Sequence, residues 1–306
     1  MYNNLIIDGN NFLYRAYFAQ KKYPKFHNGL NIAPIHKFLT MLKNLMEEYT
    51  PNNVYITWDK RSNPDAVNFR RTLVSSYKEQ RVESDDTRQI HTYFPIIINI
   101  CNTLGIKTIL PYSLEGDDVI YYLCSVLEGN NLIVSSDRDL LQLVSHKTDQ
   151  LLPNRGIVDI NNFVEFAGCS LESYILFKAI KGDVSDNIEG LPKFGDKRAC
   201  TLAEEINKSS LEEYDKLTDE QKELIRNNLK VVDISYGMKN CSDDMLHAEQ
   251  QINEQRDSKF NRKEFIDLMN EYGGTSVLRQ IGSWQQLFSK ITNDQDCENW
   301  IDNLSL

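Results

Sequence analysis

The sequence carries acidic side chains in small groups at short, regular spacings. These carboxylates are Asp8, Asp59, Glu115, Asp117, Asp118, Asp137, Asp139, Asp183 and Asp186. Two like charges about 4 Å apart repel by roughly 4 kcal/mol at a dielectric constant of about 20. If most of these groups meet in the fold, the cluster needs cations. An oxygen-only ligand set without nearby His or Cys favours magnesium or manganese over zinc.

The spacing within each group indicates which side chains can act together. Glu115 and Asp118 are three residues apart in a predicted helix and would share a face. Asp137 and Asp139 are two residues apart after a predicted strand, so an extended backbone would point both side chains the same way. Each group alone also fits ordinary structure, because acids stabilise helix N-termini and Asp is common in turns. The prediction of a site therefore rests on the whole set.

Two divalent ions about 4 Å apart suit phosphodiester hydrolysis, because one activates water and both stabilise the attacking and leaving oxygens. The net charge of −10 and pI of about 5.1 alone argue against a nucleic acid partner. However, the stretch from Lys60 to Arg81 holds six basic and two acidic residues. This stretch is a plausible source of phosphate-binding cations.

The first half of the chain alternates strand and helix signals. Predicted strands cover residues 4–7, 53–58, 106–110 and 131–134, and predicted helices cover residues 12–17, 35–49, 92–104, 115–127 and 140–144. This alternation predicts an α/β fold with a mostly parallel central sheet flanked by helices. Ligands gather beyond the carboxyl ends of such strands. Asp8, Asp59 and Asp137 each follow a predicted strand, so we expect them to meet there.

The second half has a different pattern. Residues 60–91 fit no strand, and a connection of this length is usually functional or disordered. After about Asn161 the chain is predicted to be helical to its end. We therefore expect an α/β domain over residues 1–165 and a helical domain over residues 166–306.

Composition narrows the cellular setting. The apolar runs are far shorter than the ~18 residues that a membrane span needs. The N-terminus has no basic start and no apolar signal core. The six cysteines are scattered without a CxxC pair, which favours reduced thiols over zinc or disulfides. We expect a cytoplasmic protein without membrane contact.

Five segments in order carry a resemblance to a known family. They are residues 8–17 (DGNNFLYRAY), 58–81, 115–119 (EGDDV), 136–143 (SDRDLLQL) and 181–190 (KGDVSDNIEG). The chain resembles the 5′-nuclease superfamily, which includes bacterial DNA polymerase I 5′-nuclease domains, phage 5′-exonucleases, T-even phage RNase H and flap endonucleases. The match covers roughly residues 1–205. It implies a PIN-like 5′-nuclease fold in a phage or bacterial host cytosol.

The resemblance also implies roles for the carboxylates and for the basic stretch. One Mg²⁺ would be surrounded by Asp8, Asp59, Glu115, Asp117 and Asp118, and a second by Asp137, Asp139, Asp183 and Asp186. Mn²⁺ can substitute. Residues 60–91 would form a helical arch, in which Lys78 and Arg81 act as catalytic clamps on the scissile phosphate. Arg70 and Arg71 would be further DNA-binding residues.

A helix–three-turn–helix over about residues 178–206 would bind the duplex backbone without reading bases. Its DNA-binding residues would be Gly190, Lys193, Gly195, Lys197 and Arg198, and a K⁺ ion at this turn is a family feature. The family turn usually reads Gly-Val-x-Gly-Ile-Gly. Here Lys193 stands at the middle glycine. Direct phosphate contacts from Lys193, Lys197 and Arg198 would compensate.

The function implied is a flap endonuclease and 5′-3′ exonuclease that acts on DNA or RNA–DNA with a 5′ flap or 5′ end and removes RNA primers. A monomer is expected, with a single-strand binding protein or a clamp as possible replication partners. A PIN-type ribonuclease is an alternative that the long residue 60–91 segment disfavours. An unrelated phosphatase with a cluster of aspartates is a further alternative, but that function would not explain the helical second half. A catalytically silent DNA-binding scaffold is the different-class alternative, although no metal-site carboxylate is lost.

Overall fold

The computed structural model describes residues 1–63, 65–80 and 84–291. Its strands are β1 Asn4–Asp8, β2 Phe26–His27, β3 Leu30–Asn31, β4 Asn53–Thr57, β5 Lys107–Ile109, β6 Asn131–Val134, β7 Thr148–Leu152 and β8 Gly156–Val158. A six-stranded sheet has the order β5-β4-β1-β6-β7-β8. All its neighbouring pairs are parallel except β7 and β8. The predicted α/β fold with a mostly parallel sheet is confirmed.

Helices cover the sheet on both faces. They are α1 Gly9–Gln20, α2 Ala33–Tyr49, α3 Phe69–Leu73, α4 Asp85–His91, α5 Phe94–Thr103, α6 Gly116–Val126, α7 Phe163–Ala167, α8 Tyr174–Lys181, α9 Asp196–Asn207, α10 Asp219–Val232, α11 Ile234–Asn240, α12 Ser242–Glu254, α13 Arg262–Glu271, α14 Thr275–Leu278 and α15 Ile281–Phe288. The sequence patterns predicted α1, α2, α5 and α6 within a few residues. They did not predict α3, α4, strands β7 and β8 or the β2–β3 hairpin. None of the helices in the described residues combines the length and apolar character needed to cross a bilayer.

Alternating side chains of β1 build two cores. Leu5 and Ile7 face α1, α2 and α5, whereas Ile6 faces α6. This follows from the two-residue period of a strand. With both faces covered, the central strands are apolar throughout, and the polar residues that follow them are left at the carboxyl edge of the sheet.

The last described helices fold back onto the sheet. Two glutamines of α12 bond to the free edge of β5: Gln255 pairs with the backbone of Thr108, and Gln251 pairs with the backbone of Leu110. Phe265 of α13 belongs to the same core as β1 and α2. The helical second half is therefore present, and hydrophobic cores cross the predicted boundary at residue 165. The division into two domains stays a prediction.

A tight turn joins α8 to α9. Gly182 has φ +70°, and a Cβ at Gly190 would lie 1.9 Å from the carbonyl oxygen of Lys181, so both positions require glycine. Lys193 has φ +68°, in the left-handed region that favours glycine. Lys193 thus adopts the backbone conformation expected of the glycine that it replaces in the family turn.

Residues 60–63, 65–80 and 84–91 hold the short helices α3 and α4. The far end of this segment is tied to α1, because the Tyr17 hydroxyl lies 2.7 Å from the Gln89 side chain and Lys21 pairs with Asp86 at 2.5 Å. That the segment forms an arch over a DNA strand stays a prediction.

Candidate metal centre

A cavity of about 390 Å³ opens beyond the carboxyl ends of β1, β4 and β6. Among the residues that line it are Lys78 and the carboxylates of Asp8, Asp59, Glu115, Asp117, Asp137, Asp139, Asp183 and Asp186. The structure therefore brings eight of the nine predicted carboxylates together. Asp118 is the one that it does not place in the cavity wall.

Asp8 ends β1 and caps the N-terminus of α1. Its carboxylate accepts hydrogen bonds from the Asn11 amide at 3.0 Å and from the Ser135 hydroxyl at 2.7 Å. Burial and then the charge of Asp59 raise the pKa of Asp8 to about 7. Burial disfavours the charged form of the carboxylate, and the nearby negative charge of Asp59 disfavours it further.

Asp59 and Asp117 continue the acidic wall. Asp59 accepts from the side-chain amide of Asn10 at 3.0 Å and from the backbone of Gly116 at 2.9 Å. Asp117 lies in the first turn of α6, and burial, followed by the charge of Asp137, raises its pKa. The carboxylates on three different elements thus act on one another.

Glu115 is held by cations and hydrogen-bond donors at the N-terminus of α6. It accepts from Asn68 at 3.0 Å, Tyr77 at 3.1 Å and Lys78 at 2.8 Å. Burial raises the pKa of Glu115, but Lys78 and Arg70 outweigh burial and bring the pKa to about 2. Glu115 is therefore ionised and directed towards Lys78.

Asp137 and Asp139 meet by a different geometry from the predicted one. The backbone N–H of Asp139 donates to the Asp137 carboxylate at 2.8 Å, and Asp139 begins a 3₁₀ helix over Asp139–Leu143. The prediction of an extended backbone here was wrong, because the Asp137 side chain closes a turn on the residue two positions later. Both carboxylates still line the cavity.

Lys178 is a site residue that the sequence did not reveal. Its ammonium lies 2.7 Å from Asp139 and 3.2 Å from Asp183. Burial lowers the pKa of Lys178, but the Asp139 carboxylate outweighs burial and the pKa is raised. In the sequence, Lys178 is only a lysine in the predicted helix before Gly182-Asp183. Lysine is common on helices, so its position alone does not indicate a role in the site.

Arg70 and Asp118 require a correction. The two side chains form a buried ion pair at 2.7 Å, and they are 4% and 0% exposed. Arg70 is therefore not available to DNA as predicted, and Asp118 is directed to Arg70 instead of the cavity. The carboxylate of Asp118 also accepts from the backbone N–H of Glu115 at 3.0 Å, which completes the cap of α6.

The remaining predicted residues lie on the surface or outside the described residues. Arg71 is exposed and donates to the Tyr77 carbonyl at 3.3 Å. Lys193, Gly195, Lys197 and Arg198 are exposed around the start of α9, whereas Gly190 packs against the backbone of Lys181. Arg81 lies outside the described residues. The DNA-binding and clamp roles of all these residues stay predictions.

The carboxylates that line the cavity are oxygen ligands of the kind that hard divalent cations prefer. Within residues 1–63, 65–80 and 84–291, no three His, Cys, Asp or Glu side chains enclose one metal ion without moving. Magnesium keeps several of its waters and takes only one or two carboxylates per ion, so it needs no closed protein cage. Carboxylates spaced around an open cavity, with Lys78 and Lys178 as cations among them, match that preference.

The structure thus has an α/β fold with a cavity lined by carboxylates at the carboxyl edge of a mostly parallel sheet. Residues 3–168 match the family model of the 5′-3′ exonuclease N-terminal, resolvase-like domain, and the chain belongs to this family. The resemblance to the 5′-nuclease superfamily is confirmed.

Two curated relatives and two solved structures illustrate the match. The chain is 32% identical to DNA polymerase I of Lactococcus lactis subsp. lactis (strain IL1403) over 215 residues, which are 66% of this chain and 24% of the polymerase. It is 31% identical to DNA polymerase I of Streptococcus pneumoniae (strain R6) over 209 residues, which are 65% of this chain and 23% of the polymerase. The chain thus spans about a quarter of the curated relatives that it matches.

The solved structures share the fold. The 5′-exonuclease of phage T5 with bound zinc has a TM-score of 0.65 at 21% identity, covering 88% of this chain and 99% of that one. A bacteriophage T5 flap endonuclease in a pseudo-enzyme–product complex with DNA and metal ions has a TM-score of 0.63 at 20% identity, covering 89% and 99%.

Proposed function

We propose that this chain is a structure-specific 5′-nuclease that hydrolyses phosphodiesters at 5′ flaps and 5′ ends of DNA and RNA–DNA. The observation that carries the proposal is the meeting of eight carboxylates and Lys78 in one cavity, in a chain of the 5′-3′ exonuclease family. An acidic cavity of this kind repels a phosphate diester unless cations are present. The cavity therefore suits a phosphate that arrives together with metal ions.

Two Mg²⁺ ions, which Mn²⁺ can replace, would supply an activated water and offset the charge on the attacking and leaving oxygens. Asp8, Asp59, Glu115 and Asp117 would hold one ion. Asp137, Asp139, Asp183 and Asp186 would hold the other. The amides and hydroxyls of Asn10, Asn11 and Ser135 orient this set through their hydrogen bonds to Asp59, Asp8 and the β6 end.

Lys78 contributes a fixed cation. Its backbone has φ +54°, and its N–H donates to the carbonyl of Asp186 at 3.0 Å. Its ammonium lies 2.8 Å from Glu115 and 4.9 Å from the centre of the Tyr77 ring. Donors that are already in place before the reaction stabilise developing charge without a cost of reorganisation. Lys78 is therefore suited to counter charge on the scissile phosphate, and Arg81 would act beside it.

The exposed residues Lys193, Gly195, Lys197 and Arg198 would contact the duplex backbone and orient it without reading its sequence. The related T5 flap endonuclease in complex with DNA supports DNA as the substrate class. The same proposal has four further parts. A K⁺ ion would bind at the α8–α9 turn, and the protein would act as a monomer. It would remove primers in the host cytosol and dock to a single-strand binding protein or a clamp.

The proposal is tested with a 5′-labelled flap duplex, using the wild-type protein and Asp139→Asn with Mg²⁺, Mn²⁺ or EDTA. We expect metal-dependent release of the flap by the wild type and loss of release in the variant. If the wild-type protein binds the junction but cuts it with neither metal, the nuclease proposal is wrong and the chain is a DNA-binding scaffold.

A further inference from the structure

A second cavity of about 390 Å³ lies beside the metal centre. Its wall is formed by Arg138, the end of α7, one face of α8 and the first turn of α9. Lys178 lines this cavity and contacts Asp139 and Asp183, two carboxylates that line the first cavity, so one side chain connects the two. Helix α8 lines this cavity along one face and ends at Lys181, two residues before Asp183 of the metal centre.

The wall of this second cavity is positively charged although the chain is acidic. Its charged side chains are the cations Arg138, Lys178, Lys181 and Lys197 and the acids Glu165 and Asp196. Lys181 is neutralised by Asp196 at 2.7 Å, and Lys178 by the metal-centre carboxylates. Neither Arg138 nor Lys197 makes an ion pair within the described part of the chain. Arg138 and Lys197 are therefore available to a ligand, and their combined charge exceeds that of Glu165 in the same wall.

The guanidinium of Arg138 is held at the cavity by the protein itself. Its Nη2 donates to the carbonyl of Phe166 at 2.6 Å, at the C-terminal end of α7. The Tyr174 hydroxyl donates to the Arg138 carbonyl at 2.7 Å and fixes the backbone. A guanidinium presents five N–H donors, so this contact leaves donors for a phosphate.

We propose that this cavity binds a backbone phosphate of the cut strand, on the duplex side of the scissile bond, with Arg138 and Lys197 as its ligands. The inference rests on the proposed function. Lys178 in the wall of this cavity contacts Asp139 of the metal centre, and Lys197 in the same wall belongs to the first turn of α9. A strand whose scissile phosphate lies in the metal centre and whose duplex lies against the start of α9 would therefore pass this cavity. Arg138 is then a positioning residue that sets which phosphodiester reaches the metal centre.

The test measures binding of a labelled flap duplex with EDTA present, so that no strand is cut. Duplexes carry a neutral methylphosphonate at the first, second or third phosphate on the duplex side of the scissile bond. We expect Arg138→Gln to weaken binding roughly tenfold and to lower the salt dependence by about one counterion. One methylphosphonate should weaken wild-type binding at least as much as Arg138→Gln does, and it should weaken binding by Arg138→Gln by a smaller factor, because only the Lys197 contact is then left to lose. The same methylphosphonate should also weaken binding by Lys197→Gln by a smaller factor than it weakens wild-type binding.

Arg155→Gln, at an exposed position between β7 and β8, is the matched control and should bind like the wild type. Because Arg138 also caps α7, melting temperatures are measured for each variant, and Lys197→Gln tests the same cavity without touching that cap. The inference is overturned if each methylphosphonate weakens the variants and the wild type by equal factors. That outcome leaves cleavage by the wild type intact, whereas a wild type that never cuts overturns the proposed function instead.

Discussion

The guanidinium of Arg70 donates two hydrogen bonds to the carboxylate of Asp118, over 2.7 and 2.8 Å. The same guanidinium donates through Nε to the carbonyl of Val231 at 3.0 Å. Arg70 therefore joins α3, α6 and the end of α10 in the wall of the acidic cavity. This pair holds the cavity wall together and leaves Asp117, not Asp118, facing the cavity.

Breaking this pair should destabilise the fold. Asp118→Ala removes the nearer counter-charge and two hydrogen bonds from a buried guanidinium and leaves it only Glu115 at 3.6 Å. We expect the free energy of unfolding to fall by about 3 kcal/mol, the lower end of the range for breaking a buried ion pair. Urea unfolding of the metal-free protein measures the loss. Glu212→Ala, which removes the exposed partner of Arg226, should leave the midpoint almost unchanged. Equal midpoints for Asp118→Ala and the wild type would contradict the structural role of the pair.

The stability of the metal-free protein should depend on pH. Burial and Asp59 raise the pKa of Asp8 to about 7 in the folded state, whereas an unfolded Asp titrates near 3.9. The folded state binds the extra proton between about pH 4 and 7, so stability is highest below this window and falls as the pH rises through it. Melting temperatures in EDTA at pH 6 and pH 8 check the sign.

Mg²⁺ should oppose this trend, because bound cations replace the protons between the carboxylates. The rise in melting temperature on adding Mg²⁺ should therefore be larger at pH 8 than at pH 6. Asp8→Asn should flatten the pH dependence in EDTA. A metal-free protein that becomes more stable between pH 6 and pH 8 would rule out the repulsion described here.

Lys193 should gain from replacement by glycine. Its φ of +68° costs free energy for any residue with a Cβ, and glycine relieves that cost while increasing the entropy of the unfolded chain. We expect Lys193→Gly to be neutral or stabilising by up to about 1 kcal/mol. Lys37→Gly, inside α2, should instead cost about 1 kcal/mol. Chemical unfolding of both variants gives the comparison, and losses of the same size would refute the left-handed geometry.

Lys78 should act on the reaction more than on binding. We expect Lys78→Met to lower the single-turnover rate on a flap duplex by about 10²–10³-fold, the range found for removing a fixed donor to developing charge. The Kd measured in EDTA should change little, and Lys78→Arg should recover part of the rate. Lys60→Met, an exposed lysine earlier in the same segment, serves as the control. Rates for Lys78→Met within threefold of that control, roughly 0.65 kcal/mol, would show that Lys78 has no such role.

Much of the fold and of the site could be predicted because buried parallel strands appear in the sequence as short apolar runs. The apolar runs before Asp8, Asp59 and Asp137 marked three parallel strands, and parallel strands bring their carboxyl ends to one edge. Strands β7 and β8 were missed because β7 mixes polar and apolar residues and lies next to the antiparallel edge strand. Such a strand has no continuous apolar run to reveal it.

Two features of the site depend on packing that local sequence does not encode. Asp117 and Asp118 are neighbours in one helical turn and point about 100° apart, so the position of Arg70 decides which one reaches the cavity. Lys178 looks like any helix lysine until α8 is placed against Asp139. Both depend on contacts between residues at least 39 positions apart in the chain.

The neighbouring carboxylates Asp117 and Asp118 test the central claim most directly. Cleavage of a 5′-labelled flap duplex with Mg²⁺ is measured for Asp117→Asn and Asp118→Asn at a temperature where both variants are folded. We predict that Asp117→Asn folds like the wild type and loses cleavage by orders of magnitude. We predict that Asp118→Asn melts at a lower temperature and still cleaves. The opposite pattern, or full activity of Asp117→Asn, would contradict the assignment of this cavity as the metal-dependent active site.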